Sequence, residues 1–277
     1  MSQGAASPAY RRLLDWLRAR GSALVAFSGG VDSSLVAVAA HDALGPRALA
    51  VTLQTQLTPA AEVEAARALA ADLGLRHRVV ALDALAQPEV RANQPARCYH
   101  CKRALFGALC ALARAEGLAA VLDGTQADDR LEDRPGQRAL LELGVASPLL
   151  ELGLGKRAVR RLLGARGLRS ADRPAAACLA TRIPFGQELD PARLRRVEQA
   201  EAALRALGFE ALRVRDHREL ARVELPLREL RRALGAGLRE RLVAALRQAG
   251  YVYATLDLRG LRSGSAGEAL RPPKAGG

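Results

Sequence analysis

Residues 23–34 read Ala23-Leu24-Val25-Ala26-Phe27-Ser28-Gly29-Gly30-Val31-Asp32-Ser33-Ser34, and this passage decides the architecture. The first five residues form a short apolar run of the kind that makes a buried strand, and a helix is predicted directly after the glycines. At such a strand-loop-helix junction, exposed backbone N–H groups and the helix dipole favour an anion. Gly29 and Gly30 let the main chain approach a phosphate closely, while Ser28, Ser33 and Ser34 offer hydroxyl donors and Asp32 could hold Mg²⁺. The general phosphate-loop pattern GxxxxGK[ST] is absent, because no lysine occupies the loop. The plain alternative is a glycine turn that only joins strand to helix.

Outward from this loop the pattern repeats. An amphipathic helix is expected over residues 8–20, strands over 48–53, 78–82 and 120–123, and helices over 59–73 and 102–117. Alternation of this kind predicts an α/β fold, a Rossmann-like parallel sheet with helices on both faces, whose ligands lie at the carboxyl ends of the strands. Between Leu168 and Pro191 the chain carries Pro174, Pro184 and Pro191 and little periodicity, which reads as a loop holding Cys178. A second, smaller α/β unit follows: a helix over 192–207, strands over 211–215 and 221–225, one helix over 227–248 and a strand over 251–258. The expected division is a nucleotide domain over 1–170, a linker and active-site loop over 171–190, a C-terminal substrate or oligomerisation domain over 191–262, and a flexible tail over 263–277.

The 277 residues suffice for one medium domain and a smaller one. No apolar run is long enough to span a membrane, and the first twenty residues meet charges before any signal-like apolar stretch, so the expected compartment is the cytoplasm. The net charge of +13 and a pI near 10.8 suit an RNA partner or a phosphorylated substrate. Yet the excess is almost all arginine in an Ala/Leu/Arg-rich composition, and aromatic residues for base stacking make up only 3%. Charge alone therefore assigns no nucleic-acid partner.

Four cysteines in a chain without an export signal point to reactive or metal-binding thiols rather than disulfides. Cys98 and Cys101 form a C-x-x-C within Arg97-Cys98-Tyr99-His100-Cys101-Lys102, at the start of a helix whose dipole lowers thiol pKa. Cys178 would be a third thiol, brought near only by the fold. Three readings stay open: a three-cysteine iron-sulfur cluster with one open iron, persulfide or disulfide chemistry without metal, and zinc, which would also need His100 or Cys110. Cys110, inside an Ala/Leu helix, reads as a core thiol.

The loop Ser28 to Ser34 resembles the pyrophosphate-gripping PP-loop of the N-type ATP pyrophosphatases, which cleave ATP between its α and β phosphates and attach AMP to a substrate oxygen. The ordered set of motifs resembles one family within that group, the LarE-type ATP-dependent sulfur transferases of nickel-pincer cofactor synthesis. The set runs through Arg97 to Lys102, Asp123-Gly124-Thr125-Gln126-Ala127-Asp128-Asp129, Arg134-Pro135-Gly136, Ser147-Pro148-Leu149, Ala177 to Pro184, Arg213-Val214-Arg215, Leu256 to Gly260 and Arg262 to Ser265. What the resemblance implies is adenylation of the carboxylates of a pyridinium-3,5-biscarboxylate mononucleotide, attack by sulfur held at Cys178, and release of a thiocarboxylate. Members with the C-x-x-C pair look like cluster-dependent, catalytic versions, so ATP, Mg²⁺ and a [4Fe-4S] cluster on Cys98, Cys101 and Cys178 are implied, with sulfide or another sulfur donor. A homo-oligomer, such as a hexamer, is also implied.

Residue roles follow from the same motifs. Arg213 and Arg215 alternate onto one strand face and are expected to grip the substrate phosphate bidentately. Glu201 and Glu224 match the family's acidic residues near sulfur transfer, although a surface position on an amphipathic helix is an equal expectation for Glu201. Lys102 and Arg182 flank cysteines and could stabilise a thiolate or the acyl-adenylate. Asp128 and Asp129 are candidates for Mg²⁺ or nucleotide contacts, or for capping the next helix. His217 has no assigned role. The rivals are a tRNA thiolation enzyme sharing the loop and the thiols, an ammonia-dependent ligase of the NAD or GMP synthetase kind, and a non-catalytic metal- or nucleotide-binding protein.

Overall fold

A computed structural model describes residues 7–129, 135–168, 178–262, 265 and 268. Arg134, the segment 171–177 and most of the tail lie outside the described residues. The chain divides into two compact units, one of residues 1–87 and 98–176, the other of 88–97 and 177–277. Among the described residues no helix is long and apolar enough to cross a membrane.

In the first unit β1 (Ala23–Ala26), β2 (Ala48–Gln54), β3 (His77–Ala81) and β4 (Ala120–Leu122) form a wholly parallel sheet in the order β3-β2-β1-β4. Its helices are α1 (Pro8–Arg18), α2 (Val31–Leu44), α3 (Ala60–Asp72), α5 (Arg97–Ala115), α6 (Pro135–Glu142), α7 (Pro148–Glu151) and α8 (Lys156–Gly164), while the short α4 (Pro88–Arg91) belongs to the second unit. Both faces of the sheet are covered because successive strand residues point to opposite sides. Ala23, Val25 and Phe27 pack with α1, α2 and α8 on one face, whereas Leu24, Leu49, Val51 and Val121 pack with Leu109 and Ala113 of α5 on the other. Helix α2 is buried along nearly its whole length, which suits its apolar sequence from Leu35 to Ala40. The expected parallel α/β sheet is thus present, and helix α5 starts five residues earlier than its periodicity suggests.

The second unit holds α9 (Pro191–Ala206), β5 (Arg213–His217), β6 (Leu220–Glu224), α10 (Leu227–Ala233), α11 (Leu238–Gln248) and β7 (Tyr253–Leu256). Strands β5 and β6 are antiparallel and β6 and β7 parallel. The single helix expected over 227–248 is two helices: Gly235 and Gly237, the latter at φ +75, break it where two glycines lower helix propensity. The first strand also begins two residues later than expected. With that register Val214 faces Val223 on the apolar side, and Arg213, Arg215, Arg222 and Glu224 share the opposite face.

Asp216 on β5 is fully buried and accepts hydrogen bonds from Arg193 and Arg196 of α9, from the Tyr251 hydroxyl at 3.1 Å and from the Arg218 amide at 3.1 Å. Burial pushes its carboxyl up, but the hydrogen bonds from Arg193 and Arg196 outweigh this and hold it below the usual aspartate range. A depressed folded-state pKa stabilises the fold above the unfolded value, and that contribution is lost as pH falls through the folded value. Acid unfolding of the second unit should therefore be weaker in dependence on pH for Asp216→Asn than for the parent below about pH 4. Urea midpoints measured at a series of pH values check this; parallel curves for the two proteins would contradict it.

Candidate active site

In the order β3-β2-β1-β4 the chain passes to β2 on one side of β1 and places β4 on the other, so the carboxyl ends of β1 and β4 flank the switch point where open α/β sheets bind ligands. Two loops meet there. The first is Ser28-Gly29-Gly30, in which Gly29 has φ +70 and a side chain would come within 3.1 Å of Ala66 on α3. Ser33 Oγ donates to the Gly30 carbonyl at 3.1 Å and accepts from the Ser28 amide at 3.2 Å, closing the loop on the first turn of α2. The helix begins at Gly30 with no side-chain cap, leaving first-turn N–H groups for an anion. Ser33 and Ser34 are buried and Ser28 is exposed.

The second loop is Asp123-Gly124-Thr125 after β4. A Cβ on Gly124 would lie 2.8 Å from the Ser33 amide, so only glycine permits this approach to α2. The buried Asp123 carboxylate is held by Ser147 Oγ at 2.6 Å, the Thr125 amide at 3.2 Å and the Thr125 hydroxyl. Asp129 accepts from the Gln126 amide at 3.1 Å and Asp128 accepts from the Lys156 amide at 2.7 Å. Asp128 thereby caps α8, not the helix next in sequence. Gly155 is required beneath it, since a Cβ there would lie 2.7 Å from both carboxylate oxygens.

That cap starts α8 at Lys156, whose Nζ reaches Asp32 Oδ2 at 2.7 Å. A cation absent from the loop's own sequence is thus delivered by a helix more than a hundred residues away, and no motif singled it out. The available signal was scarcity, because Lys156 is one of three lysines in an arginine-rich chain. The other oxygen, Asp32 Oδ1, is buried with no hydrogen-bond partner, as is Ser34 Oγ. An orphaned carboxylate oxygen beside an anion cradle fits the oxygen-ligand chemistry of Mg²⁺.

Cys98 and Cys101 occupy the first turn of α5 at a spacing of three, which puts both on one helix face; Cys98 is exposed and Cys101 half-buried. The stem of Lys102 crosses Gly136 at the start of α6, where a Cβ would meet Lys102 Cδ at 2.7 Å. Cys110 is half-buried, and burial pushes its thiol pKa up, consistent with a packing role. Among the described residues no three His, Cys, Asp or Glu side chains gather as a metal site.

In the second unit Cys178 is exposed and begins the single turn Leu179–Arg182. Arg182 is buried, forms a two-pronged pair with Glu201 at 2.7 and 3.1 Å, and donates to the Cys178 carbonyl at 3.3 Å. Glu201 is only 1% exposed, so the surface expectation for it is corrected; it also accepts from the Val214 amide and from Arg205. Glu224, fully buried, grips Arg215 through two hydrogen bonds of 2.9 Å, and Arg215 donates further to the Thr181 carbonyl and Ser265. The fork of Arg215 is therefore spent on a carboxylate, not held out for a phosphate. Arg213 is half-buried and donates to the Arg262 carbonyl at 3.0 Å. Burial, then the guanidinium groups of Arg215 and Arg182, lower its pKa, an excess of positive charge that a bound anion would relieve. His217 closes β5, its pKa lowered by burial and by Arg222.

Similarity to known proteins bears on this geometry. Residues 14–116 match the NAD synthase family. A pyridinium-3,5-bisthiocarboxylic acid mononucleotide synthase from Lactiplantibacillus plantarum is 37% identical over 247 residues, covering 89% of this chain and 89% of that protein. Uncharacterized proteins from Synechocystis (41% identical, 90% and 92% coverage) and Methanocaldococcus jannaschii (31% identical, 73% and 77%) are also similar.

Proposed function

The chain belongs to the LarE-type family of pyridinium-3,5-bisthiocarboxylic acid mononucleotide synthases, and from that membership we propose the reaction its residues perform. It is an ATP-using sulfurtransferase: the substrate is a pyridinium-3,5-biscarboxylate mononucleotide, whose carboxylates become thiocarboxylates for nickel-pincer cofactor synthesis. The observation that carries this reading is 37% identity to such a synthase over 89% of the chain.

The chemistry follows from the groups in place. A substrate carboxylate oxygen attacks the α-phosphorus of ATP, the bond to the β-phosphate oxygen breaks, and pyrophosphate leaves into the N–H groups of Gly29, Gly30 and the first turn of α2. Asp32 would hold Mg²⁺, and Lys156 supplies the positive charge the loop lacks. Arg213 anchors the mononucleotide phosphate, with Arg215 and Glu224 setting the strand face behind it. Hydrosulfide, drawn from the sulfide donor and presented beside Cys178, then attacks the acyl carbon, the bond from that carbon to the AMP phosphate oxygen breaks, and AMP departs to leave the thiocarboxylate. Lys102, next to Cys101, would offer its ammonium to the negative charge of the acyl-adenylate. Cys98, Cys101 and Cys178 are the residues that would hold a [4Fe-4S] cluster, and such a cluster would supply an iron able to bind hydrosulfide. Such thiols stay reduced in the cytosol, where we place the protein, as a homo-oligomer.

Two measurements test this reading. Without a sulfur donor, labelled pyrophosphate should exchange into ATP only when the biscarboxylate mononucleotide is present; exchange without it, or none with it, would contradict the reaction. In that assay Lys156→Ala should lower the exchange rate roughly 10²-fold, the size of effect seen when one charge-stabilising group is removed. Separately, anaerobic reconstitution with iron and sulfide should give an iron-sulfur chromophore that Cys98→Ala or Cys101→Ala abolishes; an unchanged chromophore in both would exclude those ligands.

A further inference from the structure

In the described loop from Cys178 onward, backbone amides reach the carbonyls of Cys178, Ala180 and Pro184, and side chains add further hydrogen bonds. They come from a segment distant in sequence. Asn93 is fully buried and sits in the left-handed region at φ +52, a conformation that asparagine tolerates better than most residues. Its Nδ2 donates to the carbonyls of Pro184 at 2.9 Å, Gln187 at 3.0 Å and Ile183 at 3.4 Å, and its own carbonyl accepts from the Gly186 amide at 3.0 Å. Its Oδ1 accepts from Arg97 NH1 at 2.5 Å, and the same nitrogen donates to the Ala180 carbonyl at 3.2 Å. Arg97 is buried and lies over the Phe185 ring at 5.3 Å. A charged side chain is rarely this buried unless its hydrogen bonds are fixed in place, so these contacts define one geometry.

On the other side Arg182 and Arg215 hold the carbonyls of Cys178 and Thr181. The turn bearing the thiol is thus clamped by buried donors from two directions.

We propose that Asn93 and Arg97 are positioning residues for sulfur transfer, acting through the loop carbonyls to fix how the Cys178 thiol is presented. This rests on the sulfurtransferase reading. The test uses the full chain with Asn93→Gly, which keeps the left-handed backbone and deletes the side chain, and Arg97→Lys, which keeps the charge and loses the fork. For each, thiocarboxylate formation, mononucleotide-dependent pyrophosphate exchange and the rate of Cys178 alkylation by iodoacetamide are measured.

Asn93→Gly should lower sulfur transfer roughly 100-fold, the loss expected of about 1 Å of misplacement, and leave exchange within about twofold. Arg97→Lys should show the same split to a smaller extent, and alkylation of Cys178 should change several-fold in both. Equal losses in transfer and exchange would mean a merely structural role, and unchanged transfer with unchanged alkylation would also overturn the proposal. If Asn93→Gly fails to fold, the same criteria are applied to Arg97→Lys. Alkylation needs no turnover, so the clamp is judged even if the unsubstituted chain shows no exchange, the result that would remove the sulfurtransferase reading itself.

Discussion

Cys178→Ala is expected to lower thiocarboxylate formation by on the order of 10³-fold or more, with pyrophosphate exchange held within about threefold. The two halves of the reaction use different groups. In the proposed reaction, activation uses the Ser28-Gly29-Gly30 loop, Asp32 and Lys156, all in the first unit, whereas sulfur delivery uses an exposed thiol in the second. Cys178 contributes its backbone to the turn, since Thr181 and Arg182 donate to its carbonyl and its side chain caps nothing. Alanine keeps these backbone hydrogen bonds while removing the thiol. Rate assays of both half-reactions on one preparation check this, and parallel loss would show that Cys178 serves activation as well.

Glu224→Ala is expected to destabilise the second unit by about 3–5 kcal/mol, because it strands a buried guanidinium. The side chains of Arg215 and Glu224 are 4% and 0% exposed, and Arg215 remains fixed to the Thr181 carbonyl after the carboxylate is gone. Removing both charges together, in Glu224→Leu with Arg215→Met, should recover much of that loss, since the uncompensated charge is the larger penalty. Urea unfolding of the single and double variants measures this. A double variant no more stable than the single one would mean that Glu224 acts through contacts other than its ion pair.

The sheet was legible because its signals are local. Residues 23–27 and 48–53 are apolar runs bounded by turn residues, and the glycine pair between β1 and α2 dictates a phosphate-sized approach whatever surrounds it. The break in the helix expected over 227–248 was visible as Gly235 and Gly237, but the periodic leucines on either side masked it. Burial of charge was not legible. Glu201 lies on a helix that looks amphipathic, and only the arrival of Arg182 from the preceding loop and Arg205 from the next turn makes its burial affordable. Arg215 likewise looks like a ligand for phosphate until Glu224 is placed two residues along the facing strand. Lys156 and Asn93 depend wholly on long-range partners: one needs the Asp128 cap, the other a loop some ninety residues later. Neither lies in a recognised motif, although Lys156 opens a periodic helix whose Val159, Leu162 and Leu163 are buried.

The central claim is that cleavage of ATP to AMP and pyrophosphate drives the replacement of a carboxylate oxygen by sulfur at Cys178. It is tested most directly by mass spectrometry of both protein and products after incubation with ATP, Mg²⁺, sulfide and the biscarboxylate mononucleotide, using cluster-reconstituted chain. The expected result is several thiocarboxylates per chain, one AMP for each, and an intact Cys178. Formation of ADP in place of AMP, or AMP without any sulfur in the mononucleotide, would contradict it.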